Sequence, residues 1–236
     1  MKKTIGIIGG MGPLATCDLF RKIVEFTDAA CDQEHIRVVI DNNTEIPDRT
    51  AAIISNGADP VEQMTRSAKG LEAMGADVLI MPCNTAHYFY DRVAAQVQIP
   101  VINMLAETAA AARKKGIQKV GLLATDGTIR SGVYARAFEQ EGIVMCIPSA
   151  ENQKAVMRVI YDGVKAGNAE IDLSGFRKTM DELFENGAET LVLGCTELPV
   201  AFQMYGIERP HLDPTGILAA AAVKFVGGKL KANACK

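Results

Sequence analysis

The stretch of sequence that decides the fold occurs twice, as MGADVLIMPCN at 74–84 and as NGAETLVLGCT at 186–196. Glycine, alanine, an acidic residue, a short apolar strand and a terminal cysteine, Cys83 or Cys195, recur in register. A weaker match relates IGIIGGMGPLAT at 5–16 to VGLLATDGTIR at 120–130. The repeat predicts two similar halves, with residues 1–99 and 213–236 in the first domain and 100–212 in the second. The helix after Asp213 is expected to pack back on the first half.

Short apolar runs alternate with helical patterns along the rest of the chain. Buried parallel strands have such runs, and they are predicted at 4–8, 36–40, 77–81, 101–102, 119–123, 143–146 and 190–193. Apolar residues at helical spacing predict helices at 14–27, 60–74, 105–115, 130–141 and 176–186. This alternation predicts the α/β class. Each domain would hold a mostly parallel sheet flanked by helices, with a pseudo-twofold between the domains and the active site between them.

The composition excludes several classes of protein. The 236 residues carry 25 Lys and Arg against 28 Asp and Glu, a net charge of −3, and contain no Trp, which argues against a nucleic-acid partner. No apolar run approaches the roughly 20 residues of a membrane span, and Gly9 and Gly10 interrupt the first one too early for a signal peptide. A cytoplasmic protein is therefore expected. Six cysteines without a C-x-x-C pair predict neither a zinc site nor a disulfide framework.

Each copy of the repeat ends on a cysteine followed by polar residues, Cys83-Asn84-Thr85 and Cys195-Thr196-Glu197. Ligands of open α/β sheets bind at the carboxyl ends of the strands, so both thiols are expected at one crevice. Helix N-termini at this edge bind anions and lower the pKa of thiols. The pattern therefore predicts a carboxylate ligand and two activatable thiols. The alternative is that both cysteines only fill space at strand ends.

Other candidate residues carry weaker signals. Residues 10–15, GMGPLA, fit the dinucleotide pattern G-x-G-x-x-A, but a tight turn or a close approach to a small ligand explains the glycines equally well. Arg49, in a predicted loop, could offer a bidentate fork to a carboxylate or could be a solvated surface residue. Lys165 would by itself be a cation at a helix end. We interpret His87, four residues beyond Cys83, as a structural residue rather than a catalytic one.

Five motifs closely resemble the cofactor-independent aspartate racemases of the aspartate/glutamate racemase superfamily: IGIIGGMGPLAT, NNTEIPDRT at 42–50, MPCNTAH at 81–87, GVKAGN at 163–168 and LGCTELP at 193–199. The resemblance implies a homodimer that uses neither pyridoxal phosphate nor a metal and acts on an acidic amino acid. It implies two acid/base thiols, Cys83 and Cys195, and a side-chain carboxylate held by Arg49 and Lys165. The α-carboxylate site would contain Met11, Asn84, Thr85 and Thr196, and Thr50 and Glu197 complete the predicted substrate-binding set.

Two positions depart from the glutamate racemase branch and favour aspartate over glutamate. That branch typically has Asp-Ser in the first loop and His after the second Cys-Thr, where this chain has Gly10-Met11 and Glu197. Four alternatives stay open: a related dicarboxylate decarboxylase, a cis–trans isomerase, a dicarboxylate-binding protein without turnover, and a nucleotide-dependent dehydrogenase.

Overall fold

Two parallel sheets form the framework of the structure, a computed structural model that describes residues 3–232 and 234. The first sheet has the order β2-β1-β3 and consists of β1 (Ile5–Gly9), β2 (Val38–Asn42) and β3 (Val78–Ile80). The second has the order β5-β4-β6-β7 and consists of β4 (Lys119–Ala124), β5 (Val144–Cys146), β6 (Thr190–Gly194) and β7 (His211–Leu212). Every strand pair is parallel. The predicted α/β class with two parallel sheets is confirmed.

The two sheets have equivalent topologies. In each, the first strand of the half is central and pairs with both the second and the third. Beside β3, Val101 forms a single parallel bridge to Leu79, in the place that β7 takes beside β6. The strand predicted at 101–102 is thus reduced to one bridge. β7 has no predicted counterpart, because Leu212 stands between His211 and Asp213 and forms no apolar run.

Helices cover the sheets, and their bounds are α1 (Pro13–Phe26), α2 (Arg49–Ile54), α3 (Val61–Ala73), α4 (Tyr90–Ala94), α5 (Met104–Lys114), α6 (Asp126–Ser131), α7 (Val133–Gln140), α8 (Ala150–Arg158), α9 (Ser174–Glu185), α10 (Glu197–Met204) and α11 (Pro214–Phe225). A π-helix, Val159–Lys165, continues α8, and 3₁₀ turns span Asp32–Glu34 and Thr85–Phe89. The predicted helix at 130–141 is divided between α6 and α7 by Gly132, which has φ of 65°.

Burial explains why the central strands read as continuous apolar runs. All five residues of β1 and all five of β6 are buried, because helices cover both faces of each sheet. Leu218 and Val223 of the final helix, α11, share a core cluster with Ile5 of β1 and Leu19 of α1, and also with Met104 of α5. The proposed division into residues 1–99 plus 213–236 and 100–212 stays a prediction.

Candidate active site

One cavity lies where the carboxyl ends of the two sheets face each other. It is lined by every residue predicted for the site, namely Met11, Arg49, Thr50, Cys83, Asn84, Thr85, Lys165, Cys195, Thr196 and Glu197. Asp48, Thr125 and Tyr161 line it as well. A larger open groove beside α8 contains Arg130 and Met157, shares only Tyr161 with this cavity and contains no cysteine.

The first cysteine is held by a histidine. Cys83 follows β3 and is only 6% exposed. Its carbonyl oxygen lies 2.9 Å from Nδ1 of His87, and Nε2 of His87 accepts the backbone N–H of Met104 at 3.1 Å. Nδ1 therefore carries the ring proton and donates a hydrogen bond to the carbonyl oxygen of Cys83. Burial lowers the pKa of His87 to about 4, so this ring is neutral near pH 7 and serves as a structural link, which agrees with the favoured interpretation.

The second cysteine is hydrogen-bonded to a carboxylate. Cys195 directly follows β6, is 6% exposed, and donates from Sγ to Oε2 of Glu197 at 2.9 Å. The hydroxyl of Thr196 is 3.4 Å from the same oxygen. Burial raises the pKa of the Cys195 thiol well above its ordinary value, and the charge of Glu197 and its hydrogen bond raise it further. The neighbours of Cys195 thus favour the protonated thiol.

The other oxygen of Glu197 binds the predicted lysine. Nζ of Lys165, the last residue of the π-helix, lies 3.0 Å from Oε1 of Glu197. Burial lowers the pKa of Lys165, but the charge of Glu197 and its hydrogen bond act in the opposite direction, and the pKa is raised overall. Lys165 is therefore charged, and about a third of its side chain is exposed. An ammonium has three N–H donors, so it can bind a ligand while it keeps Glu197.

The predicted arginine occupies a helix start instead of a loop. The carboxylate of Asp48 accepts the N–H of Ala51 at 2.6 Å and caps α2, of which Arg49 is the first residue. The Arg49 guanidinium donates to the carbonyl oxygens of Pro47 at 3.0 Å and Met11 at 3.3 Å. Burial lowers its pKa, but Cys83, Asp48 and Glu197 raise it overall. Arg49 is thus a fixed cation beside the first thiol.

The polar residues after β3 present donors to the cavity. Asn84 is buried, and its Oδ1 accepts a hydrogen bond from the hydroxyl of Tyr134. Its Nδ2 is buried without a partner among the described residues. The hydroxyls of Thr85, Thr125 and Thr128 are bonded to one another at 2.8–3.1 Å. A buried amide donor without a partner is costly, and an acidic ligand in the cavity would supply the missing acceptor.

Two glycines of the first loop are explained by close approaches. Gly10 has φ of 88°, and a Cβ there would lie 2.2 Å from the backbone oxygen of Asn43. A Cβ on Gly12 would lie 3.3 Å from Oε1 of Glu197 and 4.0 Å from Nζ of Lys165. The tight turn and the approach to the cavity account for both glycines without a dinucleotide.

Three lining residues were absent from the predicted set. Thr125 follows β4 as Gly10 follows β1, so the weaker internal match contained a signal for it. Tyr161 precedes Lys165 by four residues, and Nζ of Lys165 lies 5.5 Å from the centre of its ring. Asp48 is the cap of α2.

Within residues 3–232 and 234, no group of three His, Cys, Asp or Glu side chains is arranged to hold a metal ion. No helix of this described part is long and apolar enough to cross a bilayer.

Comparison with known proteins gives the site a family context. The profile of the family described as Asp/Glu/hydantoin racemase matches residues 8–222. The structure of aspartate racemase from Picrophilus torridus is 36% identical, covers 97% of this chain and 96% of its own, and superposes with a TM-score of 0.86. The broad specificity amino-acid racemase RacX of Bacillus subtilis is 24% identical over 93% of this chain and 96% of its own. A glutamate racemase from Desulforudis audaxviator is 31% identical over 64% of this chain and 56% of its own.

Proposed function

We propose, on the premise that this chain belongs to the Asp/Glu/hydantoin racemase family, that it interconverts L- and D-aspartate without a cofactor. The observation that carries the proposal is the placement of Cys83 and Cys195. Both are buried, each follows an equivalent strand of its own sheet, and both line one cavity. Two thiols contributed by two separate sheets are what a two-base reaction at one carbon requires.

The proposed reaction exchanges one proton for another at the α-carbon. A thiolate removes the α-proton from one face and becomes a thiol, while the other thiol delivers its proton to the opposite face and becomes a thiolate. The two cysteines exchange roles for the other enantiomer. A thiol with an ordinary pKa of about 8.5 is suited to both roles near neutral pH once its surroundings adjust it.

Two cations provide recognition of an acidic side chain. Arg49 approaches the cavity from α2 and Lys165 from the π-helix, and both stay charged despite burial. Their positive charge compensates a second carboxylate, which neutral amino acids lack. We assign the side-chain carboxylate of the substrate to these two residues, with Thr50 beside Arg49.

The α-carboxylate is assigned to residues around the first loop and the two cysteines, which are Met11, Asn84, Thr85 and Thr196. The unpartnered Nδ2 of Asn84 supports this assignment. The α-hydrogen of an amino acid is a very weak acid while the adjacent carboxylate is charged. Preorganised donors around that carboxylate stabilise the enolate-like charge that develops in the transition state, as an oxyanion hole does. We assign Glu197, which also lines the cavity, to the substrate ammonium.

The experiment that tests the proposal is α-proton exchange. The purified protein is incubated with each enantiomer of aspartate, glutamate and alanine in deuterated water, without added cofactor and with or without a chelator, and loss of the α-proton is followed together with chirality. We expect exchange with inversion for aspartate in every condition. A requirement for pyridoxal phosphate or a metal would contradict the proposal, and so would binding without exchange or decarboxylation of dicarboxylates. A homodimer and a cytoplasmic location stay predictions.

A second candidate is a racemase of wider specificity. The similarity to the broad specificity amino-acid racemase of Bacillus subtilis, which extends over 93% of this chain, favours it. The same panel separates the two functions, because exchange of alanine at a rate near that of aspartate would support the wider range.

A further inference from the structure

Glu197 is the residue whose contacts the two-base scheme leaves unexplained. Its carboxylate is buried, with 6% of the side chain exposed, and each oxygen has its own close partner. Oε1 binds Nζ of Lys165 at 3.0 Å, and Oε2 accepts from Sγ of Cys195 at 2.9 Å. A residue that served the substrate alone would not need its second oxygen against a thiol.

The contact requires one proton between sulfur and oxygen. An ionised carboxylate only accepts hydrogen bonds, so the proton of this pair must be carried by one of the two groups. The ordinary pKa is about 4.3 for a glutamate and about 8.5 for a thiol. The sulfur therefore keeps the proton near pH 7, and the other carboxylate oxygen stays paired with Lys165.

The two thiols have opposite surroundings. Cys83 lies beside a cation, the Arg49 guanidinium, whereas Cys195 is hydrogen-bonded to a carboxylate. Cys195 faces Glu197 from α10, Lys165 and Tyr161 from the π-helix and Tyr134 from α7. Burial raises the pKa of both tyrosines, so they are neutral over the range in which thiols titrate. Burial and Glu197 then favour the protonated thiol of Cys195, and Lys165 opposes them.

We propose that Glu197 is a positioning residue that holds the proton on Cys195 in the free protein, so that Cys195 starts as the acid and Cys83 as the base. The assignment of acid and base rests on the proposed racemase function, whereas the protonation of Cys195 does not. The free protein then accepts in productive form the enantiomer whose α-proton faces Cys83. The other enantiomer requires the proton to move first from Cys195 to Cys83.

A difference titration of thiolate absorbance tests the proposal without substrate. The ultraviolet absorbance of the protein is followed against pH, and the same curve for its Cys195→Ser variant is subtracted, which leaves the titration of Cys195. The pair is repeated in a Glu197→Gln background, which keeps the size of the side chain and removes its charge. Glu151→Gln is the matched control, because Glu151 pairs with Lys154 at 2.8 Å on the surface, where both side chains are more than 70% exposed.

We expect the Cys195 midpoint of the native protein to lie above about 8.5. Glu197→Gln should lower it by at least about one pH unit, because the negative neighbour is lost and Lys165 is left to favour the thiolate. Glu151→Gln should leave it unchanged. A native midpoint at or below 8.5, or a midpoint that Glu197→Gln does not lower, would overturn the proposal. If Glu197→Gln fails to fold, Glu197→Met, which is of similar length and uncharged, replaces it with the same expected and contradicting shifts. A protein without aspartate exchange but with this titration behaviour would refute the racemase function and leave the role of Glu197 intact.

Discussion

The hydroxyl of Tyr134 donates a hydrogen bond to Oδ1 of Asn84 and so joins a helix of the second half to the site loop of the first. Tyr134 is fully buried in the core cluster around β4, and burial raises its pKa, which keeps the hydroxyl protonated. The bond orients the amide of Asn84 and leaves Nδ2 for an acceptor in the cavity. One tyrosine thus couples the packing of the two halves to the geometry of the candidate site.

Tyr134→Phe should therefore affect both stability and substrate binding. The substitution leaves a buried acceptor without its donor, which costs about 1–3 kcal/mol. We expect the free energy of unfolding, measured by urea denaturation, to fall by that amount and the KM for aspartate to rise. Tyr88→Phe is the control, because Tyr88 is 49% exposed. Equal stabilities of the two variants would show that the bond contributes nothing.

Loss of either cation should weaken acidic substrates selectively. Arg49→Ala or Lys165→Ala removes a charged donor, and a charge-assisted hydrogen bond contributes about 1.5–3 kcal/mol, or roughly 10–150-fold in binding. We expect KM to rise by such a factor for aspartate and to change little for alanine, as measured by steady-state kinetics. Lys154→Ala provides a surface control. A similar loss for both substrates would argue that the cations only support the fold.

His87 is buried, and we expect it to make the protein less stable in acid. Its pKa is about 4 in the folded state and about 6.5 in the unfolded chain, so the unfolded state takes up the proton first. The stabilisation is fully present above pH 6.5 and is lost as the pH falls towards 4, by about 3 kcal/mol in total. Urea unfolding between pH 7 and pH 4.5 should show this loss in the native protein and in the control His211→Gln. His87→Gln should show a shallower decline, and identical slopes would disprove the assignment.

A methyl group on Gly12 should impair activity more than folding. Gly12 has φ of −107°, which other residues adopt, but its Cβ would lie 3.3 Å from Oε1 of Glu197. Because small displacements of positioned groups are costly for catalysis, we expect Gly12→Ala to reduce kcat/KM by about 10–100-fold. Gly70→Ala in α3, where a Cβ meets nothing within 4 Å, should raise stability by about 0.5–1 kcal/mol and leave kcat/KM unchanged. An unchanged kcat/KM in Gly12→Ala would show that the first loop does not contribute to the reaction.

The strands could be predicted from the sequence more accurately than the local structure of the site could. The strand ends that carry Cys83 and Cys195 could be predicted because each follows a buried apolar run that occurs twice. The helix that starts at Arg49 was mistaken for a loop, since its cap, Asp48, stands among turn-forming residues and α2 is only six residues long. The contact between Cys195 and Glu197 depends on how the chain turns after β6, and the approach of Tyr161 depends on the π-helix. Neither feature has a periodicity that a pattern could reveal.

The central claim is that each enantiomer is deprotonated by a different cysteine, and exchange by single cysteine variants measures it most directly. Cys83→Ser and Cys195→Ser are each incubated with L- and D-aspartate in deuterated water, and loss of the α-proton is followed by nuclear magnetic resonance. A hydroxyl is too weak an acid and base to replace a thiol near neutral pH. Both variants should therefore lose net racemisation, and the remaining thiol should exchange the α-proton of one enantiomer only, the opposite one in each variant. The same enantiomer preference in both variants, or racemisation at the native rate in either, would contradict the two-base account.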